Sequence, residues 1–247
     1  MPRRYGLPKE LLPPLGLALL TGERRSFRMD AIRCTRMLQP PLKIYGAENI
    51  PGCGPCLVTT NHYARPGFYA WWLALTISAA VPAEVHWLIT SAWTYPDRLR
   101  SATITPLTRW ILKRLAQVYG FTNLPPMPPD PADIARRAEA VRRVLKVARQ
   151  SDRALIGLAP EGGDFAAPGQ LAQPPPGVGR FMLHLSSLGL EISPVGIFEE
   201  CECLCLRFGS RYQLTVLPGL LPSARDRHAT RQVMDHIAEL IPEHLTK

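Results

Sequence analysis

Residues 51–62 of the chain read PGCGPCLVTTNH, a stretch that combines a turn, a short apolar strand and a histidine. The run from 56 to 60 is apolar and rich in β-branched side chains, which predicts a buried strand. The prolines and glycines before it predict the turn that feeds this strand. We therefore expect the strand to deliver Asn61 and His62 to its end, where an imidazole can enter an active site.

Short apolar runs alternate with helical patterns along the rest of the chain. Strands are predicted at 42–46, 56–60, 85–90, 154–159, 192–197, 203–208 and 212–216, and helices near 66–80, 106–116, 131–150, 178–189 and 228–241. Strands that alternate with helices predict an α/β sheet covered on its faces.

The helix at 131–150 has the clearest local signals. Asp130 can cap it and Pro131 suits its first turn. Its predicted buried face consists of Ile134, Ala138, Val141, Leu145 and Ala148, which follow one another at spacings of three and four residues. The opposite side is rich in arginine, which is typical both of a docking surface for acidic partners and of an ordinary solvated face.

The formal net charge of +9 and the pI near 9.6 predict an anionic partner. A membrane surface, a phosphorylated substrate, an acidic carrier protein and nucleic acid all fit that charge. Residues 1–39 are basic with interleaved leucines and methionines, a pattern typical of helices that lie on anionic lipid and of solvated faces packed on a domain. No segment has the length and apolarity of an ordinary membrane span, because the uncharged stretch 66–83 favours a core or interfacial helix.

Two groups of cysteines suggest redox or metal chemistry, and neither pattern is convincing. A Cys-x-x-Cys dithiol needs a helix amino terminus to lower its thiol pKa, whereas Cys56 leads into a strand. Cys201, Cys203 and Cys205 alternate and are expected to share one face of a strand. Structural zinc sites use paired Cys-x-x-Cys spacing instead, so we expect buried, reduced thiols and no metal.

Three segments together resemble the glycerolipid and lysophospholipid acyltransferase family. KIYGAENIPGCGPCLVTTNHYARPGF at 43–68 resembles its first block, in which a G-x-E-N-I-P turn and a strand precede an N-H-x-x-x-x-D motif. LIGLAPEGGDF at 155–165 resembles the family's F-P-E-G-T-R segment. PPPGVGRFMLHLSSLGLEISPVGIF at 174–198 resembles its glycine-containing helix followed by V-P-V-x-I. The resemblance covers roughly residues 40–220.

This resemblance implies a single α/β domain at 40–247, with a mixed, mostly parallel sheet covered by helices on both faces. The basic amphipathic pattern of residues 1–39 predicts a membrane-association segment before that domain. It implies transfer of a fatty acyl group from acyl-CoA or an acyl carrier protein, as co-substrate, to a lysophospholipid or related lipid. It requires no cofactor or metal, and the expected partners are the donor and the membrane lipid surface rather than nucleic acid. The expected location is the cytoplasm, peripheral at the inner face of the cell membrane.

Acyl transfer to a hydroxyl needs a base and dipoles that stabilise the tetrahedral oxyanion. By resemblance His62 is the base, and Asn61 and Asp164 are expected beside it in the catalytic site. Glu161 would hold the acceptor or order the loop beside the histidine, although a simple turn carboxylate also fits. The turn residues that accompany it in the substrate site are Pro160, Gly162 and Gly163.

The chain departs from the family pattern at two places. Gly67 stands where the motif has its aspartate. In Ser-His-Asp triads, the aspartate orients the imidazole. Asp164 or a backbone carbonyl are alternative acceptors, and binding of lipids without turnover is the third possibility. The arginine of the E-G-T-R segment is also absent. Arg65 and Arg180 are the candidate replacements for binding an acceptor phosphate, and each also fits an ordinary surface charge.

Overall fold

A seven-stranded sheet organises the part of the chain that the computed structural model describes, namely residues 5–52, 54–95, 97–127, 130–150, 152–163, 170–216 and 219–246. Its strands are β1 (Lys43–Tyr45), β2 (Cys56–Thr60), β3 (His86–Thr90), β4 (Thr122–Leu124), β5 (Leu155–Leu158), β6 (Glu191–Glu200) and β7 (Cys203–Phe208). Their order in the sheet is β1-β7-β6-β2-β5-β3-β4. The strand that precedes His62 is therefore central.

Five strands, β2 to β6, run in one direction. β7 pairs antiparallel with β6 across a hairpin, and β1 pairs parallel with β7, so these two run the opposite way. The expected fold class, a mixed and mostly parallel sheet in one α/β domain, is confirmed. The common direction places the carboxyl ends of β2, β5 and β6 at one edge.

Helices cover both faces of this sheet. They are α1 (Leu12–Thr21), α2 (Phe27–Thr35), α3 (Trp71–Ala80), α4 (Arg98–Tyr119), α5 (Ile134–Gln150), α6 (Val178–Ser187) and α7 (Pro222–Ala238). Alternation along β2 separates two cores. Leu57 packs among residues of α5, α6 and α7, whereas Cys56 and Val58 pack among residues of α2 and α3. Within the described residues, no helix combines the length and apolarity that crossing a membrane requires.

The second helix of the 1–39 segment belongs to the folded domain. α2 packs on α3, and Asp30, 2% exposed, accepts hydrogen bonds from Arg25 and from Tyr119 of α4. α1 differs, because Leu12, Leu17 and Leu20 are all at least half exposed. A membrane role for residues 1–39 stays a prediction.

Two strand predictions differ from the structure. Residues 212–216 form no strand, and Tyr212 makes only an isolated bridge to Ile192. The reason lies in β6, which begins at Glu191: in the antiparallel register set by the Ile192–Tyr212 bridge, residues 214–216 lie beyond its first residue and have no strand to pair with. The sequence analysis did not predict β4, because an edge strand of three residues is too short for its pattern to be recognised.

α3 and α4 begin at other residues than predicted, whereas α6 begins at Val178 as predicted. α3 begins at Trp71 rather than at 66, because a β-turn occupies 65–68. α4 begins at Arg98, where Asp97 caps it by accepting from the Arg100 N–H. α5 matches 131–150 once its leading turn is included.

The predicted buried face of α5 is wrong in its first half. Ile134 is 68% exposed and Ala138 is exposed. The helix contacts the core through Ala140, Val144 and Ala148, a face rotated by about one residue position from the predicted stripe.

Candidate active site

Two segments of the sequence resemblance meet at the carboxyl edge of the central strands. His62 follows β2, and the Pro160–Gly163 turn follows β5, the strand hydrogen-bonded next to β2. Because parallel strands end at the same edge, residues 99 positions apart in sequence become neighbours. This edge is the place where the fold can assemble a site.

Asn61 fixes the direction in which the chain leaves β2. Its side-chain amide donates to the Ile197 carbonyl and accepts from the Ile197 N–H, both at 2.8 Å. β6 extends beyond the end of β2, so the amide continues the sheet pairing by one further step. Asn61 is 1% exposed and these two bonds engage both ends of its amide, so the backbone immediately before His62 is fixed to β6.

The carboxylate of Glu161 holds the backbone on both sides of the site. One oxygen accepts from the His62 N–H and the other from the Ala172 N–H, each at 2.5 Å. Glu161 is 1% exposed, and charge-assisted hydrogen bonds of this kind are the strong ones. Of the two roles expected for it, this geometry matches ordering of the loop beside the histidine. The His62 side chain is partly exposed, with its Nδ1 atom shielded from solvent.

A tight turn presents Glu161 in this way. The Gly162 N–H donates to the Ala159 carbonyl at 3.1 Å, and Pro160 occupies the second position of the turn. Gly162 has a φ of +75°, a conformation that favours glycine. Asp164, the candidate replacement for the motif aspartate, lies outside the described residues.

Gly67 occupies the third position of another turn, where a positive φ favours glycine. The Phe68 N–H donates to the Arg65 carbonyl at 3.0 Å, and Gly67 has a φ of +83°. Proline followed by glycine with positive φ is the pattern of a type II turn. A Cβ at this position would lie 3.7 Å from Arg65 Nη1, so a side chain here would contact that guanidinium.

Arg65 belongs to a polar cluster with Glu199 at the end of β6. Its Nε and Nη2 both donate to the Glu199 carboxylate, and Nη1 donates to the Pro66 carbonyl at 2.7 Å. Tyr63 and Tyr5 also donate to Glu199 through their hydroxyl groups. The guanidinium proposed for an acceptor phosphate is thus already paired within the protein.

The cluster shifts the titration of its members. Burial disfavours the charged form of Glu199, but hydrogen bonds from Arg65, Tyr5 and Tyr63 outweigh burial and lower the pKa of that carboxyl. Burial, together with the neighbouring Glu199 charge, raises the pKa of Tyr63 to about 12. Glu199 therefore stays ionised and Tyr63 protonated near neutral pH.

Arg180 lies at the start of α6, where the helix terminus is already capped. The Asp226 carboxylate of α7 accepts from the backbone N–H groups of Gly177 and Arg180, at 2.7 and 2.8 Å. The side chain of Arg180 lines a surface groove between α6 and α7 together with His184 and Arg225. Arg180 thus takes part in a basic groove, while Asp226 occupies the anion position of the helix.

The cysteines match the thiol expectation only in part. Cys56 is buried, which raises its pKa to about 12, the opposite of an activated dithiol; Cys53 lies outside the described residues. Cys203 and Cys205 are buried in β7. Cys201 is not on that strand, because it forms the β6–β7 turn with Glu202, with positive φ at both residues, and is exposed.

Sequence reasoning missed Glu199 and Ala172. Glu199 follows a buried apolar strand, and an acid at such a strand end was the one available signal. Ala172 contributes only its backbone N–H, so its residue type carries no signal for this contact.

Comparisons with known proteins add a fold likeness. Neither the models of protein families nor the curated proteins give a match. Among solved structures, the fold is similar to that of the 1-acyl-sn-glycerophosphate (LPA) acyltransferase PlsC from Thermotoga maritima, with a TM-score of 0.49 and 14% identity. The alignment covers 95% of this chain and 84% of that one. The chemistry of the site therefore has to be argued from its own residues.

Proposed function

We propose that the protein is an acyltransferase that moves a fatty acyl group from an acyl-CoA or acyl carrier protein thioester to a lysophospholipid or related lipid at a membrane surface. His62 is the general base. The protein works in the cytoplasm, peripherally at the inner face of the cell membrane, where its net charge of +9 favours an anionic surface.

One observation carries this proposal. The two segments that resemble the acyltransferase motifs, around His62 and around Glu161, are joined in space by the hydrogen bond from the His62 N–H to the Glu161 carboxylate. A buried carboxylate that ties two loops to the backbone of a partly exposed histidine is the arrangement expected for a preorganised site. It gives both motif residues a physical purpose.

The reaction is an acyl transfer with the imidazole as proton carrier. His62 accepts the proton of the acceptor hydroxyl as that oxygen attacks the thioester carbonyl carbon. The tetrahedral intermediate then collapses, the carbon–sulfur bond breaks, and the imidazolium returns the proton to the leaving thiolate. An imidazole can accept a proton in the first step and return it in the second.

The other site residues have supporting roles in this proposal. Asn61 and Glu161 position the histidine, and Pro160, Gly162 and Gly163 shape the turn beside it. Asp164 is proposed as the group that orients the imidazole in place of the motif aspartate. Arg65 and Arg180 remain proposed contacts for an acceptor phosphate, Arg65 by sharing its guanidinium with Glu199.

A second function, lipid binding without turnover, is favoured by the turn at Gly67. Gly67 has no side chain, so the motif position supplies no carboxylate to orient the imidazole. In a serine protease, loss of the aspartate that orients the catalytic histidine lowers the rate by about 10⁴. A protein on this scaffold would then bind acyl chains and transfer none.

A donor assay separates the two functions. The purified chain is incubated with radiolabelled acyl-CoA or acyl carrier protein and a lysophospholipid in vesicles, and labelled diacyl lipid is measured against time. Acyltransferase activity gives product that depends on protein and acceptor together. Donor binding without product from either donor would contradict acyl transfer and support lipid binding.

A further inference from the structure

α4 is unusually exposed for a helix of a folded domain. It carries five basic side chains and no acidic one over 22 residues. Its first seven residues are all exposed, and only Thr105, Thr108, Ala116 and Val118 are buried. At 1.5 Å per residue it extends over about 33 Å. Such a helix presents most of its circumference to its surroundings.

The outward side of α4 carries large apolar residues. Leu99, Leu107 and Trp110 are 76%, 56% and 43% exposed, and their spacings of eight and three residues place them within a quarter of the helix circumference. Lys113 and Arg109 flank this stripe on one side and Arg100 on the other. An apolar stripe between basic residues is typical of helices that lie in a membrane interface.

A cluster of exposed aromatic side chains lies near the amino-terminal end of α4. The rings of Tyr69 and Trp71 stack at 4.4 Å and those of Trp71 and Trp93 at 6.1 Å, and all three side chains are at least 37% exposed. Trp93 follows the carboxyl end of β3, a strand parallel to β2 through β5. The cluster therefore lies at the sheet edge that also carries His62, and α4 begins five residues later.

Among the described residues, α1 is the helix that packs on α4. α1 packs on α4 near its carboxyl end, where Arg114 donates to the Leu20 carbonyl at 3.3 Å. A second copy of the chain would bring two helices of five positive charges together, which like-charge repulsion opposes. An anionic lipid surface instead complements both the charge and the tryptophans, which favour the membrane interface.

We propose that α4, together with Tyr69, Trp71 and Trp93, is the surface that binds the protein to an anionic lipid bilayer. The apolar stripe enters the interfacial region, and the flanking basic residues contact the headgroups. This inference rests on the proposed function in one respect: the contact would hold the His62 edge of the sheet beside the membrane lipids on which the enzyme acts. The binding itself needs no catalysis.

Vesicle binding tests the apolar stripe. The full chain is sedimented with vesicles of phosphatidylcholine containing phosphatidylglycerol, and Leu99→Ser/Leu107→Ser is compared with Ile134→Ser/Leu221→Ser. The control residues are 68% and 73% exposed and lie on other elements. We expect the α4 variant to lower the partition coefficient about tenfold or more and the control to match wild type.

Substitution of basic residues by glutamine tests the contribution of charge to vesicle binding. Arg109→Gln/Lys113→Gln should weaken binding to the anionic vesicles about thirtyfold, since each basic residue near the surface contributes roughly fivefold. Arg142→Gln/Arg149→Gln on α5 should change it little, and neither pair should matter on pure phosphatidylcholine. His62→Gln should bind like wild type, which separates this inference from the failure of catalysis.

Three outcomes would overturn the proposal. The first is that Leu99→Ser/Leu107→Ser binds the vesicles as strongly as wild type. Loss confined to Leu12→Ser/Leu17→Ser would place the contact on α1. A dimer in sedimentation equilibrium that dissociates in the α4 variant, with vesicle binding unchanged, would identify a second copy as the occupant.

Discussion

Replacement of Glu161 by glutamine tests the bridge that holds the site together. The carboxylate accepts two backbone N–H bonds at 2.5 Å, from His62 and Ala172. Glutamine keeps the shape and one acceptor, but it turns an NH2 group toward the second N–H and removes the negative charge. Charge-assisted bonds contribute about 1.5–3 kcal/mol each. Glutamine is cheaper to bury, which offsets part of the loss, so the net destabilisation should be about 2–3 kcal/mol.

Urea unfolding monitored by tryptophan fluorescence measures this difference. In thermal unfolding, 1 kcal/mol corresponds to about 2–4 °C in Tm for a chain of this length, so we expect the Tm to decrease by about 5–10 °C. The transfer rate should fall about a hundredfold, because misplacement of a catalytic group by about 1 Å costs that much. Glu161→Asp keeps the charge but is shorter by one methylene, so a comparable loss of rate would show that reach matters as well as charge.

Glu48→Gln is the matched control, because Glu48 is exposed in the first motif segment. It should change the free energy of unfolding by less than about 0.5 kcal/mol. The reasoning fails if Glu161→Gln is as stable and as active as Glu48→Gln, since the two buried hydrogen bonds would then hold nothing in place.

Three further substitutions test the neighbouring contacts. Asn61→Leu leaves the N–H and carbonyl of Ile197 without their partner, so we expect a loss of about 2–4 kcal/mol in urea unfolding; wild-type stability would contradict this. Glu199→Gln should cost about 1–3 kcal/mol at pH 7. Because the folded-state pKa of Glu199 is lowered, its stabilisation is present above the unfolded pKa of about 4.3. It is lost as the pH falls through the folded pKa, so the unfolding free energies of wild type and Glu199→Gln should converge in acid. A difference between them that is constant with pH would exclude the ion pair with Arg65. Gly67→Asp should destabilise by about 1 kcal/mol because of its positive φ. It should not raise the transfer rate, since its Cβ would lie 3.7 Å from Arg65 Nη1 and the new carboxylate can pair with that guanidinium; a clear gain in rate would show that the carboxylate reaches the histidine.

Local patterns predicted the central strand and the histidine that follows it. β2 has its five residues where the apolar run stands, and the turn before it is marked by glycine and proline. The approach of Glu161 to His62 followed from the resemblance, because both segments end parallel strands. The order and direction of these strands are what makes the two distant segments meet.

Contacts that depend on strand register were beyond the sequence. Asn61 pairs with Ile197 because β6 extends beyond the end of β2, and no local sequence pattern shows how far it extends. Glu199 reaches Arg65 for the same reason. The Pro66-Gly67 dipeptide was a readable turn signal, yet the apolar residues after it favoured a helix from 66. On α5, packing rather than periodicity alone decided which stripe is buried.

The most direct test of the account is the initial rate of acyl transfer to lysophospholipid by His62→Gln, with His228→Gln as the control on an exposed histidine of α7. We expect His62→Gln to lose about 10²–10⁴ in rate while its urea midpoint stays close to that of wild type, and His228→Gln to behave as wild type in both. A folded His62→Gln protein that transfers at the wild-type rate would contradict the assignment of this edge of the sheet as the active site.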